Sequence, residues 1–384
     1  MTLTFFSNYM NHHQRPLCDE LYKKLGDDFH FVATEEMSDA RKQMGYDSPE
    51  NNRPYVIKTY DSQNEQRNFG LAKELANESD VVILGSAPEK YLEQRLKQNK
   101  LTFRYCERFF KTGKWHLLDP RVLFNCYHYH FKYRKSNLYL LCASAYTALD
   151  SRFIYSYPNK AYRWGYFPKV VQYENIESVI EKKEISSILW VGRFLKLKHA
   201  EDVIFLAEKL KAIGESFSIT VIGEGEKENR LRDMILKKGV QDFIQIFPFM
   251  TTEQVRMKME QADIFLFTSD RNEGWGAVLN EAMNSACAVV ANNEIGSVPY
   301  LIRNGQNGII YHRKKKNDLY EKVKFLLSET KKKRRIQISA YQTMIGKWNA
   351  EIAALRLLHL IDCIQKGVEV EYSDGPCSKD RGKE

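Results

Sequence analysis

The sequence predicts an α/β protein built from two doubly wound parallel-sheet domains, and three observations support this prediction. The chain has 384 residues, which favours two domains because domains usually hold roughly 100–200 residues. Short apolar runs alternate with amphipathic stretches along the chain, as strands and helices do in α/β folds. The apolar runs also lack polar alternation, which is typical of parallel strands covered on both faces.

The first half contains five apolar runs that we interpret as strands, each followed by helical sequence. They are residues 3–10, 29–35, 80–86, 101–107 and 137–144. We assign residues 1–167 to a first, Rossmann-like domain. A polar stretch that contains Glu-Lys-Lys-Glu and lacks an apolar face follows, and we predict a linker over residues 168–187.

The second half repeats the pattern, and we assign residues 188–340 to a second Rossmann-like domain. Its predicted strands are residues 186–193, 216–225, 243–249, 263–269, 287–292 and 308–312. A helical stretch at about residues 340–365 is expected to pack back on the first domain. The polar tail at 368–384 is expected to be disordered. Because ligands of open parallel sheets bind beyond the carboxyl ends of the strands, we expect a central cleft.

Composition excludes several classes of protein. Lys and Arg number 58 against 49 Asp and Glu, a net charge of +9. This mild excess does not fit a dedicated nucleic-acid binder, but it fits an anionic small molecule or an anionic membrane surface equally well. No apolar run approaches the roughly 18–20 residues of a spanning helix, and no secretory signal is recognisable. Seven scattered cysteines predict reduced thiols in a cytoplasmic protein.

Two glycine-containing loops follow strands early in the second domain. In Trp-Val-Gly-Arg-Phe-Leu-Lys-Leu-Lys-His, Gly192 permits close approach of a ligand, and Arg193 and Lys198 can bind phosphate oxygens. A surface pair of cations without a ligand is the alternative. In Ile-Gly-Glu-Gly-Glu, Gly223 turns the chain after a strand. Packing beneath a nucleotide base and a simple glycine turn both remain open.

The most informative segment is residues 268–311. Glu273 lies in a loop after a strand, Gly274, Trp275 and Gly276 follow, and Glu281 lies eight residues later on a helix. Two carboxylates can accept paired hydrogen bonds from the vicinal diols of a ribose or a hexose. A further glycine turn, Gly-Ser-Val-Pro at 296–299, supplies free amides that suit phosphate oxygens.

These motifs resemble the retaining GT-B glycosyltransferases of glycosyltransferase family 4, the group 1 type. Glu-Gly-Trp-Gly-Ala-Val-Leu-Asn-Glu is similar to the family's E-x7-E motif, and residues 192–198 are similar to its G-R-x4-K element. The segment from 296 to 311 resembles the sequence that follows E-x7-E. The resemblance covers about residues 186–311, with the motifs in the family's order.

The resemblance implies roles for these residues. Arg193 and Lys198 would neutralise the leaving diphosphate, Glu273 would contact the donor sugar, and Glu281 would hold the ribose. The other donor-binding residues that it implies are Gly192, Gly223, Gly274, Trp275, Gly276, Ser297 and Val298. It also implies a UDP- or GDP-sugar donor, no metal and no further cofactor. The acceptor would be a glycan or a polyprenyl-linked glycan in bacterial surface polysaccharide assembly at the inner face of the membrane.

The chain departs from the family at several positions. Residues 285–289 lack the family's glycine and proline, and Tyr300 stands where a glutamate is common. The first domain lacks the usual glycine-rich loop and histidine, so the acceptor-side residues remain candidates only. These candidates are His12, His13, Gln14, Glu107, Arg108, Ser144, His128 and His130.

Basic segments leave further alternatives open. Residues 127–135 alternate aromatic and basic side chains on a predicted helix that either contacts a membrane or packs with its cations reaching solvent. The lysine-rich runs at 313–316 and 331–335 are either solvated faces or sites for anionic lipid headgroups. Two other functions stay possible: a sugar-nucleotide epimerase of the same fold, and a non-catalytic protein that binds nucleotides or nucleic acid.

Overall fold

The computed structural model describes residues 1–39 and 53–382, and the chain separates into two compact units. Unit 1 comprises Met1–Lys169 and Asn349–Glu384, and unit 2 comprises Val170–Trp348. Each unit contains a parallel β-sheet with helices in the connections between its strands. The predicted fold class of two parallel-sheet α/β domains is therefore confirmed.

In the described part of unit 1, seven parallel strands form one sheet in the order β3-β2-β1-β4-β5-β6-β7. The strands are β1 Leu3–Ser7, β2 Phe29–Ala33, β3 Val56–Lys58, β4 Val81–Leu84, β5 Thr102–Cys106, β6 Leu138–Cys142 and β7 Ala161–Arg163. Every residue of β1 and of β4 is buried. Burial on both faces explains why these strands are continuous apolar runs in the sequence.

The α-helices of unit 1 connect these strands and close the unit. They are α1 Arg15–Leu25, α2 Glu65–Glu78, α3 Glu93–Lys97, α4 Pro120–Asn125, α5 Thr147–Phe153 and, from the end of the chain, α14 Ala350–Lys366. Helix α14 packs against α1, and its inner face is fully buried at Leu357, Leu360 and Ile361. The end of the chain thus completes the core of the first sheet.

Residues 170–348 are all described, and six parallel strands form the sheet of unit 2 in the order β10-β9-β8-β11-β12-β13. The strands are β8 Glu184–Val191, β9 Ser218–Ile222, β10 Ile244–Phe247, β11 Ala262–Phe267, β12 Ala288–Asn292 and β13 Ile309–Tyr311. The α-helices are α6 Ile176–Glu181, α7 Glu201–Ala212, α8 Glu228–Lys238, α9 Thr252–Gln261, α10 Val278–Asn284, α11 Val298–Leu301, α12 Asp318–Ser328 and α13 Thr330–Gly346.

Both sheets reverse their winding direction beside their first strand. In unit 2, β8 lies between β9 and β11, so the connection from β8 leaves toward one side and the connection from β11 toward the other. The loops that follow these two strands therefore diverge and leave a crevice at their carboxyl ends. The loop after β8 holds Arg193 and Lys198, and the loop after β11 holds Glu273.

The predicted linker differs from what the structure contains. Helix α6 lies within residues 168–187, and β8 begins at Glu184. Lys183 is buried, and its Nζ donates to the carbonyls of Met259, Ala262 and Ser285 at 2.9 Å each and to that of Glu260 at 3.1 Å. One lysine of the polar stretch therefore binds the carboxyl ends of α9 and α10.

The end of the chain also differs from the prediction. The stretch expected as one helix over 340–365 is two helices, and Asn349 caps the second by accepting from the Ile352 amide at 2.9 Å. The tail that we expected to be disordered packs on β7 as far as it is described, with Cys377 and Asp380 buried. The Asp380 amide donates to the Ala161 carbonyl at 2.9 Å. Pairing with a strand edge satisfies the polar backbone of this tail.

We predict that Lys183→Met lowers the free energy of unfolding by about 2–4 kcal/mol, because buried carbonyls lose a charged donor. The exposed neighbour Lys182 provides the matched control, since Lys182→Met should change this free energy by no more than about 0.5 kcal/mol. Urea denaturation followed by circular dichroism measures both variants. Equal stability of the two variants would contradict the structural role of Lys183.

Candidate active site

The two predicted cations in the loop after β8 differ in their exposure to solvent. Arg193 is exposed, whereas the Lys198 side chain is only 17% exposed. Lys198 ends a short 3-10 turn, Lys196–Lys198, that closes the loop before α7. Of these two predicted cations, Arg193 thus faces solvent and Lys198 is held against the neighbouring loop.

Lys198 and Glu273 meet at the crevice between β8 and β11. Lys198 Nζ forms an ion pair with Glu273 Oε2, and the Ser269 hydroxyl donates to the same oxygen at 3.1 Å. The Thr268 hydroxyl donates to the Lys198 carbonyl at 2.6 Å, which ties the two loops together. The Glu273 side chain is 14% exposed. A partly desolvated cation and carboxylate therefore lie side by side at the sheet's switch point.

His199 is a residue of this site that sequence reasoning did not single out. It has a left-handed backbone, φ 50°, and it is buried. Its Nδ1 lies 3.1 Å from Glu201 Oε1, and its Nε2 lies 3.0 Å from Asp270 Oδ2. Burial lowers the pKa of His199, but the two carboxylate partners outweigh burial and raise it overall. The His199 imidazole thus links the loops after β8 and β11.

Close backbone contacts explain why glycine is needed in the turns of this region. The Gly192 amide donates to the Ile222 carbonyl at 3.0 Å, which extends the β8–β9 pairing beyond the strands. At Gly223, with φ 149°, a Cβ would lie 2.0 Å from the Gly192 oxygen. At Gly225, with φ 151°, a Cβ would lie 2.9 Å from the Phe194 nitrogen. Gly223 is thus fixed by its contact with the loop that carries Arg193.

Trp275 was expected to bind the donor, but its side chain is not available for this contact. It is fully buried, and its ring lies 5.9 Å from that of Trp348 and 6.2 Å from that of Tyr300. Its indole nitrogen donates to Asn280 Oδ1 at 2.9 Å, and its carbonyl accepts from the Ser297 hydroxyl at 2.6 Å. Trp275 and Ser297 therefore anchor the Glu273 loop to the core of unit 2.

The remaining turn residues also make internal contacts. Gly274 is buried, and at Gly276, with φ 79°, a Cβ would lie 2.2 Å from the Phe267 ring. The Val298 amide, which we expected to face phosphate, donates to the Ile295 carbonyl at 3.2 Å. Close packing therefore explains these glycines, and the Val298 amide is engaged within its own turn.

Glu281 lies on α10, in the helix that follows the Glu273 loop. Burial raises the pKa of Glu281 to about 7, and the charge of nearby Arg256 opposes this rise. Arg256 donates to Asn284 Oδ1 at 2.9 Å on the same helix. A carboxyl group that titrates near neutral pH thus lies within unit 2, in the second position of the E-x7-E pattern.

Two acceptor-side candidates of unit 1 share one network. The His13 ring stacks on Tyr166 with centroids 4.1 Å apart, and the Tyr166 hydroxyl donates to Glu107 Oε1 at 2.6 Å. Glu107 also forms an ion pair with Lys111. The loop after β1 and the end of β5 are therefore joined by a stacked histidine, a phenol and a carboxylate.

The neighbouring candidates of the β1 loop are held inside unit 1. Burial, with a smaller contribution from the Arg15 charge, lowers the pKa of His12 to about 4. His12 is therefore uncharged near neutral pH and cannot shield a negative charge. Gln14 is buried, and it accepts from Asn11 Nδ2 at 3.1 Å and donates to the Ser7 hydroxyl at 3.4 Å. Gln14 thus shapes the loop after β1.

Arg108 and Ser144 have structural partners as well. Arg108 Nε lies 3.5 Å from Asp150, and its guanidinium lies 4.8 Å from the centre of the Tyr146 ring. Ser144 is fully buried, and its hydroxyl accepts from the Tyr146 amide at 3.3 Å. His130 Nδ1 lies 2.8 Å from the Tyr157 hydroxyl. These contacts position the loops after β5 and β6.

The fold of the chain is found among solved structures. HepE from Anabaena, crystallised with UDP, superposes with a TM-score of 0.69 at 13% identity, covering 94% of this chain and 100% of HepE. At this identity the likeness shows the fold alone, which is the GT-B fold of glycosyltransferases.

The sequence comparisons find a family match over part of the chain. The family model described as Glycosyl transferases group 1 matches residues 172–343. This segment includes the loops that hold Lys198 and Glu273. It is nearly coextensive with unit 2.

Curated relatives match over shorter segments. A putative colanic acid biosynthesis glycosyltransferase, WcaL of Salmonella typhimurium, is 31% identical over 31% of this chain and 30% of its own length. The amylovoran biosynthesis glycosyltransferase AmsK of Erwinia amylovora is 31% identical over 32% of this chain and 31% of its own length. The chain thus spans less than a third of these relatives.

Two features are absent from residues 1–39 and 53–382. No helix in this part of the chain is long and apolar enough to cross a bilayer. In the same residues, His, Cys, Asp and Glu side chains do not gather in threes or more in a way that could hold a metal ion.

We predict that Gly223→Ala destabilises unit 2 by about 3 kcal/mol or more, because the new Cβ would overlap the Gly192 carbonyl and add backbone strain. Gly214 is the matched control, since its φ is +71° and a Cβ added there would have nothing within 4 Å. Gly214→Ala should lower the free energy of unfolding by about 1 kcal/mol, from backbone strain alone. Urea denaturation of both variants tests the difference, and equal losses would refute the close approach.

Proposed function

We propose that the chain is a retaining glycosyltransferase of family 4 that moves a sugar from a nucleotide-sugar to a hydroxyl of a glycan or lipid-linked glycan. The observation that carries this proposal is the ion pair of Lys198 with Glu273 in a group 1 glycosyl transferase domain. Exposed Arg193 lies on the same loop as Lys198. Two cations and a carboxylate at one switch point suit a diphosphate that is joined to a sugar.

The chemistry follows from these charges. A bound diphosphate would draw Lys198 from Glu273, which frees the carboxylate to accept hydrogen bonds from the donor sugar. As the bond from the anomeric carbon to the phosphate oxygen breaks, its electron pair goes to the diphosphate, and Arg193 and Lys198 stabilise the growing charge. The acceptor hydroxyl would attack the same face and pass its proton to that phosphate oxygen. We therefore propose that no metal is needed.

Relatives and composition support the finer parts of the proposal. HepE was crystallised with UDP and with UDP-glucose, which favours a UDP-sugar donor. WcaL and AmsK carry the names of colanic acid and amylovoran biosynthesis, which favours a polysaccharide acceptor. The seven cysteines are all free thiols, as expected for a protein of the cytoplasm. Unit 1, with His13 and Glu107, would contact the acceptor.

We predict that Glu273→Gln and Arg193→Gln each lower kcat for transfer by about 100-fold to 1,000-fold, because each removes a charge that acts in the transition state. The rate is measured as UDP release from UDP-sugars in the presence of a lipid-linked glycan. Exposed Lys196, on the same loop, is the matched control, and Lys196→Gln should keep its activity.

Transfer at the wild-type rate by either variant would refute the site. Interconversion of UDP-sugars without acceptor would instead identify the epimerase alternative. A third outcome would favour a non-catalytic nucleotide-binding protein. In that case the wild type binds UDP-sugars without turnover, and Glu273→Gln binds them with unchanged affinity.

We predict that affinity for a UDP-sugar rises with pH. Folding raises the Glu281 pKa to about 7, and the ionised form is the better acceptor for ribose hydroxyls. Affinity should therefore rise about tenfold between about pH 6 and about pH 8, following the ionised fraction. Calorimetry with wild type and Glu281→Gln measures this slope, which the variant should lose. A donor analogue without the ribose diol is the control, and an equal slope with that analogue would overturn the assignment.

A further inference from the structure

The connection from β5 to β6 in unit 1 exposes an unusual group of apolar side chains. It runs through the turn Lys114–Leu118, helix α4, and the turns Cys126–His130 and Phe131–Tyr133. Its exposed members are Trp115 at 64%, Leu118 at 84%, Leu123 at 51%, Phe124 at 60% and Tyr127 at 57%. Single exposed apolar residues are normal, but five within thirteen consecutive residues form a patch of the kind that marks an interaction site. We term residues 114–135 the aromatic-basic surface.

The same segment also carries a net positive charge. Residues 114–135 contain five Lys and Arg side chains and a single carboxylate, Asp119. Lys114, Arg121, Lys132 and Lys135 are exposed. Asp119 accepts from the Arg121 amide at 2.9 Å as the cap of α4. The segment therefore carries a net charge of +4 beside its exposed apolar side chains.

Cations and rings are interleaved on this surface. The Arg134 guanidinium lies 4.0 Å from the centre of the Phe131 ring, and Lys114 Nζ lies 3.8 Å from that of Phe153. Phe153 is itself 48% exposed. Aromatic rings beside Lys and Arg are the side chains that settle at the headgroup level of a bilayer.

We propose that the aromatic-basic surface docks unit 1 on an anionic lipid bilayer. Trp115, Leu118 and Phe124 would enter the boundary between headgroups and acyl chains, while the exposed cations attract anionic headgroups. A second copy of the chain fits this surface less well, because a two-fold interface would place like charges against each other. Single-stranded nucleic acid also fits less well, because Leu118 and Leu123 offer no ring on which a base can stack.

Vesicle sedimentation of the full chain tests this proposal without any sugar donor, so its outcome is independent of the proposed transfer. The vesicles contain either phosphatidylcholine alone or equal amounts of phosphatidylcholine and phosphatidylglycerol. We expect binding to the anionic vesicles only, and weaker binding at high salt, because exposed charges are screened beyond a Debye length of about 10 Å at 0.1 M salt.

Two variants probe the two components of the surface. A triple variant, Trp115→Ser with Leu118→Ser and Phe124→Ser, should lose at least about tenfold in partitioning, since buried apolar area sets this affinity. A second variant replaces Lys114, Arg121, Lys132 and Lys135 by Gln. Its partitioning into the anionic vesicles should fall about fivefold for each cation that is removed. The matched control replaces three exposed apolar residues of unit 2 by Ser. These are Ile185 at 90%, Leu236 at 67% and Met257 at 54% exposure.

The control variant should bind as the wild type does. The proposal is overturned if the wild type does not bind anionic vesicles, if the triple variant binds undiminished, or if the control loses as much. It is also overturned if an oligonucleotide displaces the vesicles, or if light scattering shows a dimer that the triple variant lacks. Should the triple variant fail to fold, as judged by thermal melting, the charge variant decides.

Discussion

The parallel pairing of β8 with β11 is the constraint on which the site of unit 2 depends. Ile188 pairs with Ile264 and Leu189 with Phe265, so the two strands end beside each other at the place where the winding reverses. The Trp190 indole donates to the Thr268 hydroxyl at 2.8 Å, and that hydroxyl donates to the Lys198 carbonyl. One threonine thus sets the distance between the two loops.

The Lys198–Glu273 pair gives the site a defined state before any ligand arrives. Each side chain is mostly withdrawn from water, and an ion pair with little solvent keeps both charges from being left uncompensated. Under the proposed function, an anionic ligand would offer Lys198 a better partner and offer Glu273 donors in exchange. A molecule that carries phosphate and hydroxyl groups together meets both demands, whereas free phosphate meets one. Discrimination between ligands by this site would then follow from replacing both halves of the pair at once.

The sequence was sufficient where local pattern decides structure. Within the described residues, all strands with four or more residues coincide with apolar runs. The loops that hold Lys198 and Glu273 follow β8 and β11, at strand ends as predicted. The three-residue edge strands β3 and β7 were missed, because each ends in a cation and does not stand out as an apolar run. The equally short β13 is wholly apolar and was predicted. The ion pair of Lys198 with Glu273 was not predicted, since the two residues are 75 positions apart. The family resemblance implied only that each of them contacts the donor.

Other features depend on contacts that no local pattern contains. Lys183 lies in a polar tetrapeptide, and its burial is decided by carbonyls at the ends of two helices far along the chain. Trp275 stands between two glycines like a ligand-facing residue, yet Trp348 and Tyr300 complete a core around it. Gly223 was expected at a tight turn, but its necessity comes from the Gly192 carbonyl. In each case the decisive neighbour is distant in sequence.

The segment around Cys377 closes the open side of the first sheet. Its backbone pairs antiparallel with β7 through the Arg163 amide to the Ser378 carbonyl at 2.8 Å and the Cys377 amide to the Arg163 carbonyl at 2.8 Å. An uncovered strand edge is a template for intermolecular pairing and aggregation. A shortened chain that lacks these residues would expose β7 along its length, so its colloidal behaviour at high concentration, rather than its catalytic competence, would be the first property to suffer.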